Sequence, residues 1–255
     1  MILGDSMNIE KYKYIGNSKY KVKIEDNIYI LYEDVILKNE LLLKQKITKN
    51  ELQNILIENR HFEGYYSAIK YIEKKLRTEK EIEHYLVKND YNSKDIEKII
   101  NKLRKDNILN ENNYAESYIN DQINLKLVGP LKIKNDLIKL GISEDIIDEK
   151  LNCYTKELQE EKIKKYIEKE KKNNQNKSMY YLKNKIVLNL VNRGFFKDDI
   201  LSILNNYSFN DDSAYDKEYK KLHDKYSKKY SGRELDYIIT QKLYQKGFKY
   251  RKIDY

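Results

Sequence analysis

The spacing of large apolar residues repeats four times from residue 82 onward. Each copy places an isoleucine four residues before a leucine, so that both side chains lie on one face of a helix. The pairs are Ile82 and Leu86, Ile133 and Leu137, Ile186 and Leu190, and Ile239 and Leu243. The leucines lie 51, 53 and 53 residues apart. This near-constant period predicts a tandem repeat, with the paired residues in the core of each unit.

The residues that follow each leucine predict the end of its helix. A glycine stands four residues later in three copies, and Asp90 replaces it in the first. In "LVNRGFFKDDI", Gly194 falls just outside the helix, where a left-handed backbone completes a Schellman motif and Leu190 contacts Phe195. Aspartate adopts that backbone at modest cost. Each copy therefore predicts a helix that stops and turns the chain back.

Capping signals place further helices on both sides of each stop. The expected helix starts carry a serine, a threonine or the single proline: Thr78, Ser93, Pro130, Ser143 and Ser231. Thr78 and Ser231 also precede a glutamate at capping-box spacing. One more stretch with helical spacing comes before each start, so each unit is predicted to have three helices. The fourth unit reaches Tyr255 before its third helix is complete.

The N-terminal region follows a different pattern. Residues 12–34 contain short alternating apolar runs separated by turn signals, which predict an antiparallel meander of about three strands. Residues 35–60 return to helical spacing, and Thr48 with Glu51 has the spacing of another capping box. Farther along, the polar stretch Lys171–Lys177 is expected to be a flexible connection, because its composition cannot fill a core.

These patterns predict a mainly α protein. Tandem three-helix repeats, similar to helix-turn-helix units, are expected to form an elongated array behind a small N-terminal antiparallel β-meander. The expected segments are the meander at 1–37, a helical connector at 38–61, repeat 1 at 62–108, repeat 2 at 109–155, repeat 3 at 156–208 and a partial repeat 4 at 209–255.

Composition limits the classes of function. The 50 Lys and Arg residues exceed the 41 Asp and Glu residues and give a net charge of +9, which favours a polyanionic partner or an acidic protein surface. An evenly mixed surface that is simply basic is the alternative. The chain has one cysteine, Cys153, no apolar run of membrane-spanning length and no signal-peptide pattern. We expect a cytoplasmic protein without a disulfide.

The sequence does not indicate catalytic chemistry. The three histidines, His61, His84 and His223, lack partners at metal-ligand spacing, and Cys153 lacks an evident histidine partner. No phosphate-binding or nucleophile motif occurs. We therefore expect no enzyme activity, no metal and no cofactor.

Direct reading of DNA is a weaker interpretation. The segment "LIKLGISEDII" looks like the turn of a helix-turn-helix motif, in which the second helix enters a major groove. That second helix would present Glu144, Asp145, Asp148 and Glu149, which is a poor surface for phosphate.

Several motifs in order resemble the RecX family of regulatory proteins. The stretches "AIKYIEKKLRTEKEIEHYL", "DIEKIINKL", "NENNYAESYI" and "GPLKIKNDLIKLGI" carry the resemblance. The family's Arg-x-Arg-Ser-Glu segment is Lys75–Glu79 here, its Ala-x-x-Tyr is Ala115–Tyr118, its Gly-Pro-x-x-Ile is Gly129–Ile133 and its Arg-Gly-Phe is Arg193–Phe195. The family's arginine before Gly-Pro is absent, and Lys126 is the nearest cation. The resemblance extends from Tyr65 to Leu204, and the N-terminal strands and fourth unit look like the longer forms found in Gram-positive bacteria.

The resemblance implies a non-enzymatic modulator of the RecA recombinase. Such a protein binds along the groove of RecA–DNA filaments, limits their growth or promotes their disassembly, and so restrains homologous recombination, DNA repair and the SOS coprotease. We expect a monomer whose partners are the RecA filament and single- or double-stranded DNA, without a membrane. A DNA-binding protein that uses its repeats directly on nucleic acid is the alternative function.

Six cations beside the matched helix starts and turns are the expected partner-binding residues. They would meet acidic groups of the filament or DNA phosphate, and a solvated surface is the alternative for each. The residues are Lys75, Arg77, Lys126, Lys132, Lys134 and Arg193.

Overall fold

The computed structural model describes residues 6–249 and confirms a mainly helical fold with a small antiparallel sheet. The chain divides into two compact units. The first contains Met1–Tyr114 with Leu140–Ile142, and the second contains Ala115–Lys139 with Ser143–Tyr255.

The sheet has four strands within the described residues. They are β1 (Ser6–Gly16), β2 (Lys19–Ile24), β3 (Asn27–Tyr32) and β4 (Lys46–Thr48), in the order β3-β2-β1-β4. All neighbours are antiparallel. The meander of β1 to β3 matches the predicted one. Strand β4 is not predicted by the sequence pattern, because its three residues lie inside a stretch with helical spacing.

The inner face of the sheet packs on helices α1 (Glu33–Lys38) and α2 (Lys49–Lys74). Its core includes Val22 and Leu31, both fully buried. At the β3 edge of the sheet, the Asn59 side chain of α2 makes two hydrogen bonds of the kind that a neighbouring strand would make. The Tyr32 amide donates to its Oδ1 at 2.8 Å, and its Nδ2 donates to the Ile30 carbonyl at 3.0 Å. This pairing closes part of an edge that could otherwise pair with another chain.

The remaining helices follow in the order of the repeats. They are α3 (Glu79–Lys88), α4 (Ser93–Lys105), α5 (Glu111–Leu125), α6 (Pro130–Lys139), α7 (Glu144–Leu151), α8 (Lys156–Asn173), α9 (Met179–Asn192), α10 (Lys197–Asn205), α11 (Asp212–Tyr226) and α12 (Gly232–Gln245). Helix α2 is continuous across residues 61 and 62, where the sequence places the start of repeat 1. The third helix expected for the fourth repeat lies outside the described residues.

The repeated isoleucine–leucine pairs form the core, as predicted. All eight side chains, from Ile82 to Leu243, are at most 3% exposed. Each pair lies on the second helix of its repeat, which is α3, α6, α9 or α12. Burial of branched aliphatic side chains of this size contributes about 1.5–3 kcal/mol each to folding, so the repeated pairs are a main source of stability.

The predicted helix stops are confirmed in detail. Asp90, Gly141, Gly194 and Gly247 all have left-handed φ values, of 61°, 90°, 86° and 82°. After α9, the Phe195 amide donates to the Leu190 carbonyl at 3.1 Å and the Gly194 amide to the Val191 carbonyl at 2.9 Å. These two bonds define the Schellman motif.

The predicted helix starts are only partly confirmed. Thr48 and Thr78 form complete capping boxes with the glutamates three residues later. Ser231 makes no capping hydrogen bond, so the third predicted box is wrong. Helix α4 begins one residue earlier than expected, because Asn92, not Ser93, accepts the Asp95 amide at 3.0 Å. Ser143 occupies the N-cap position of α7 without a side-chain bond.

The polar stretch predicted as a flexible connection is largely structured. Helix α8 continues to Asn173, and the Asn174 amide still donates to the Glu170 carbonyl at 3.0 Å. The Asn174 side chain also donates to Glu170, and Lys185 of α9 pairs with the same carboxylate at 2.9 Å. Local hydrogen bonds therefore order a segment whose composition offers no core residues.

Candidate functional site

The expected partner-binding cations fall into two groups. Lys75 and Arg77 lie in the first compact unit, between α2 and α3. Lys126, Lys132, Lys134 and Arg193 lie in the second unit, around the start of α6 and the end of α9.

In the first group, Lys75 is exposed and Arg77 is fixed in place. Lys75 caps the end of α2 with an extended backbone. The Arg77 guanidinium donates to Glu81 at 2.9 Å and lies 4.2 Å from the centre of the Tyr71 ring. Glu81 also accepts the Thr78 amide at 3.0 Å, so the capping box orients Arg77 and limits its freedom to reach a partner.

In the second group, two helix ends meet through backbone hydrogen bonds. The Gly129 amide donates to the Arg193 carbonyl at 2.8 Å, and the Leu131 amide donates to the Gly194 carbonyl at 3.1 Å. The turn that ends α9 thus satisfies amides at the start of α6, which a helix leaves without internal partners. We call this contact the glycine junction, formed by Gly129–Leu131 and Arg193–Gly194.

Only glycine fits at both positions of the junction. A Cβ on Gly129 would lie closer than 3.0 Å to the backbone of Gly194, and a Cβ on Gly194 closer than 3.0 Å to the backbone of Lys132. Gly194 also needs its left-handed φ of 86°, whereas Gly129 does not have a left-handed φ. Gly194 is thus both the helix stop that the sequence predicts and a contact point between two helix ends.

A similar contact joins the two last repeats. The Ser178 hydroxyl at the start of α9 donates to the Lys246 carbonyl at 2.7 Å, at the end of α12. A Cβ on Gly247 would lie closer than 3.0 Å to that hydroxyl oxygen. Within the second unit, the helix stop of one repeat therefore lies against the helix start of the repeat before it.

The loop between α5 and α6 is held by three side chains on three consecutive carbonyls. Lys162 donates to the Lys126 carbonyl at 2.8 Å, Arg193 to the Leu127 carbonyl at 3.2 Å and Tyr154 to the Val128 carbonyl at 2.7 Å. Lys162 also binds the Ile123 carbonyl near the end of α5. A cation at the carbonyl end of a helix is favourable, because the helix dipole is negative there.

Burial shapes the chemistry of two of these side chains. It lowers the pKa of the Lys162 ammonium, with a smaller contribution from Lys165. It raises the pKa of the Tyr154 phenol, which therefore remains protonated and able to donate. Neither residue is predicted from the sequence, because no local pattern marks a side chain that binds a backbone carbonyl 26 or more residues away.

The loop presents cations to solvent. Lys126 is exposed and makes no side-chain ion pair with the residues that the structure describes. Lys132 is exposed with a long contact of 3.7 Å to Asp136, and the exposed Arg193 lies over the Tyr166 ring at 5.6 Å. We call Lys126, Lys132, Lys162 and Arg193 the basic junction. These four residues form a positively charged surface on a loop backbone that is held by hydrogen bonds.

Lys134 does not belong to this surface. Its ammonium lies 2.7 Å from Asp148 and 3.0 Å from Glu144. The hydrogen bonds that Lys134 donates to Asp148 and, to a smaller extent, to Glu144 raise its pKa. Lys134 therefore neutralises part of the acidic face of α7, whose Glu144, Asp148 and Glu149 side chains are exposed, as the sequence indicated.

Other candidate chemistry is sparse in the described part of the chain. His61 pairs with Asp95, and Cys153 is exposed and free. Among residues 6–249 no three or more histidine, cysteine or carboxylate side chains gather as a metal site would require. None of the helices described there has the length and apolar character needed to cross a membrane.

Comparison with known proteins agrees with this architecture. The family description "RecX, first three-helix domain" matches residues 65–103, and "RecX, second three-helix domain" matches residues 110–151. The regulatory protein RecX of Lactococcus lactis subsp. cremoris strain MG1363 is 31% identical over 98% of this chain and 96% of its own length. The regulatory protein RecX of Bacillus cytotoxicus is 32% identical over 90% of this chain and 87% of its own length.

Solved structures show the same fold. A crystal structure of regulatory protein RecX has a TM-score of 0.70 and 24% sequence identity, and it covers 78% of this chain and all of its own. RecX from Lactobacillus salivarius has a TM-score of 0.54 and 37% identity, over 57% of this chain and 94% of its own. On the strength of the near full-length matches, the chain belongs to the RecX family of regulatory proteins.

Proposed function

We propose that this regulatory protein binds RecA–DNA filaments and inhibits the recombinase and coprotease activities of RecA, without catalysing a reaction itself. It would act as a monomer in the cytoplasm, without a cofactor, and restrain homologous recombination, DNA repair and the SOS response. The observation that carries the proposal is the match to regulatory RecX proteins over 98% of the chain. The basic junction supports it, because it offers exposed cations on a backbone fixed by hydrogen bonds.

The six cations contribute differently in this proposal. Lys75, Lys126, Lys132 and Arg193 are exposed and supply the first contacts with acidic groups of the filament or DNA phosphate. Arg77 and Lys134 are already paired with carboxylates. They would have to exchange those partners, so their substitution is expected to weaken binding less than that of Lys126.

Direct groove reading by the repeats is the competing function, and the geometry does not favour it. The helix that would enter the groove after the Gly141 turn is α7, which is short and exposes Glu144, Asp148 and Glu149. Acidic side chains repel the phosphates on both sides of a groove.

Fluorescence anisotropy with labelled single-stranded DNA distinguishes the two functions. The strand is offered bare or coated with RecA and a nucleotide that is not hydrolysed, over a range of salt concentrations. We expect tighter binding to the coated strand. Equal or tighter binding to bare DNA, with a steep salt dependence and no effect on the filament, would favour the competing function.

Charge reversal at one exposed cation tests the site. Lys126→Glu is expected to weaken binding to the coated strand, because it places a carboxylate on the basic junction. Lys220→Glu makes the same charge change on the exposed face of α11 and serves as the control. Equal effects of the two variants would show that only net charge matters and would reject the junction as the site.

A further inference from the structure

The outer face of the N-terminal sheet carries lysines in cross-strand rows. Lys13 of β1 is directly opposite Lys21 of β2, and Lys11 is opposite Lys23. Their neighbours on the inner face, such as Val22 and Ile24, are buried, so the four lysines point to the solvent side. Side chains directly opposite each other are about 5 Å apart at Cβ, and successive rows on one face are about 7 Å apart along the strand.

This arrangement is unfavourable for the isolated sheet. Like charges directly opposite each other destabilise a strand pair. Lys23 is paired with Glu10, and Glu25 and Asp26 lie nearby. Lys11, Lys13 and Lys21 form no ion pair with any carboxylate that the structure describes. No described carboxylate offsets the repulsion between Lys13 and Lys21, so we expect a bound partner to offset it.

An apolar strip runs beside the lysines. In the next strand, Ile30 is opposite Lys21 and Ile28 is opposite Lys23. Ile28 is 64% exposed and Ile30 is 49% exposed. Both stand on the outer face of β3, away from the core formed by Leu31. Each of these two rows therefore consists of a lysine of β1, a lysine of β2 and an isoleucine of β3.

We propose that this sheet face, formed by Lys11, Lys13, Lys21, Lys23, Ile28 and Ile30, binds single-stranded nucleic acid. A single strand has phosphates along one side and bases along the other, and both find a matching strip. The phosphates lie over the lysines of β1 and β2, and the bases contact the isoleucines of β3. A duplex keeps its base faces stacked inside, so the isoleucines would have no partner there. The charged strip supplies the affinity and the apolar strip the preference for a single strand.

This inference does not depend on the proposed regulation of RecA. The probe is bare nucleic acid, with no RecA present, and the surface lies in the first compact unit, apart from the basic junction in sequence and in the residues that form it. Failure of either proposal leaves the other intact.

The test measures binding of the full chain to a labelled oligothymidylate of about twenty nucleotides, over a salt series. Each lysine–phosphate contact on a single strand contributes about 0.7 to the slope of log affinity against log salt. The double variant K13Q/K21Q is therefore expected to reduce that slope by about 1.4. K11Q alone is expected to reduce it by about 0.7. Both variants remove like-charge repulsion, so folding is expected to be retained.

One control with the same charge change and one variant of the apolar strip accompany the lysine variants. K164Q/K165Q removes two exposed lysines from α8 and gives the same change in net charge. It is expected to leave the slope unchanged. I28S/I30S keeps the charge of the sheet face and is expected to weaken binding to the oligothymidylate several-fold, with an unchanged slope and no effect on a duplex probe.

Three results would overturn the proposal. The first is an equal decrease of the salt-dependence slope in K13Q/K21Q and K164Q/K165Q, which would show that only the net charge matters. The second is duplex binding as tight as single-strand binding, with no effect of I28S/I30S. The third is equally tight binding of a labelled polyglutamate peptide with the same dependence on Lys13 and Lys21, which would assign the face to an acidic protein segment.

Discussion

The glycine junction makes a quantitative prediction about Gly194→Ala. The added Cβ meets two separate obstacles, the left-handed φ of 86° and the backbone of Lys132 at less than 3.0 Å. The left-handed backbone costs an L-residue about 1–2 kcal/mol. Separation of the two helix ends would break the Gly129–Arg193 and Leu131–Gly194 hydrogen bonds, each contributing about 1 kcal/mol. We expect a total loss of about 3–4 kcal/mol in the stability of the second unit.

Alanine variants at two other glycines separate the cost of the left-handed backbone from the cost of the lost hydrogen bonds. Gly16→Ala has nearly the same φ, 87°, with nothing within 4 Å of the added Cβ, so it is expected to cost only the backbone contribution of about 1–2 kcal/mol. Gly129→Ala has no left-handed φ but meets the backbone of Gly194, so it is expected to cost about 2 kcal/mol through the two hydrogen bonds. The effect of Gly→Ala on the unfolded chain is common to all three and cancels.

Amide hydrogen exchange measures the loss of stability at the glycine junction itself. The chain has two compact units, so a single global unfolding transition is not assumed. Exchange of the Gly129 and Leu131 amides reports opening of the junction directly. We expect faster exchange at the Leu131 amide in Gly194→Ala and no change in Gly16→Ala. If the two variants exchange alike at this amide and lose equal stability, the contact between the helix ends contributes nothing and the reasoning is refuted.

Two further predictions concern caps and pH. Thr78→Ala is expected to cost about 1 kcal/mol because it breaks a complete capping box, whereas Ser231→Ala is expected to change urea stability little because Ser231 makes no capping bond. Equal losses would contradict this difference. Among residues 6–249, seven tyrosines have raised pKa values, and burial is the largest cause for each. For Tyr91, burial raises the pKa to about 12. The contribution of these tyrosines to the free energy of unfolding is complete below the unfolded tyrosine pKa near 10, and it is lost as the pH rises through their folded pKa values. Thermal stability is therefore expected to fall above about pH 10. Tyrosinate absorbance that titrates fully near pH 10 before unfolding would contradict the prediction.

The sequence was sufficient to predict the repeats because their signals are local. The isoleucine–leucine pairs and the glycine stops lie within about ten residues of each other, and the backbone chemistry of a helix end depends on those neighbours. The alignment of the four copies also predicts the left-handed backbone of Asp90, which takes the place of the glycine in the first copy. Residues at matching positions thus predicted both the core and the turns.

The contacts between repeats could not be predicted in this way. Arg193 binds the Leu127 carbonyl across 66 residues and Ser178 binds the Lys246 carbonyl across 68. A backbone carbonyl has no signature in the sequence, so neither Lys162 nor Tyr154 stood out. The position of Lys134 in the sequence places it among the six expected partner-binding cations, whereas its side chain pairs with carboxylates of α7.

The most direct test of the central claim is ATP hydrolysis by RecA on single-stranded DNA, measured while the protein is titrated in. The account predicts that the wild-type protein and Lys220→Glu lower the rate to the same extent, and that Lys126→Glu needs a higher concentration to do so. An unchanged rate with the wild-type protein, at concentrations that saturate the coated strand, would contradict the claim that it regulates RecA.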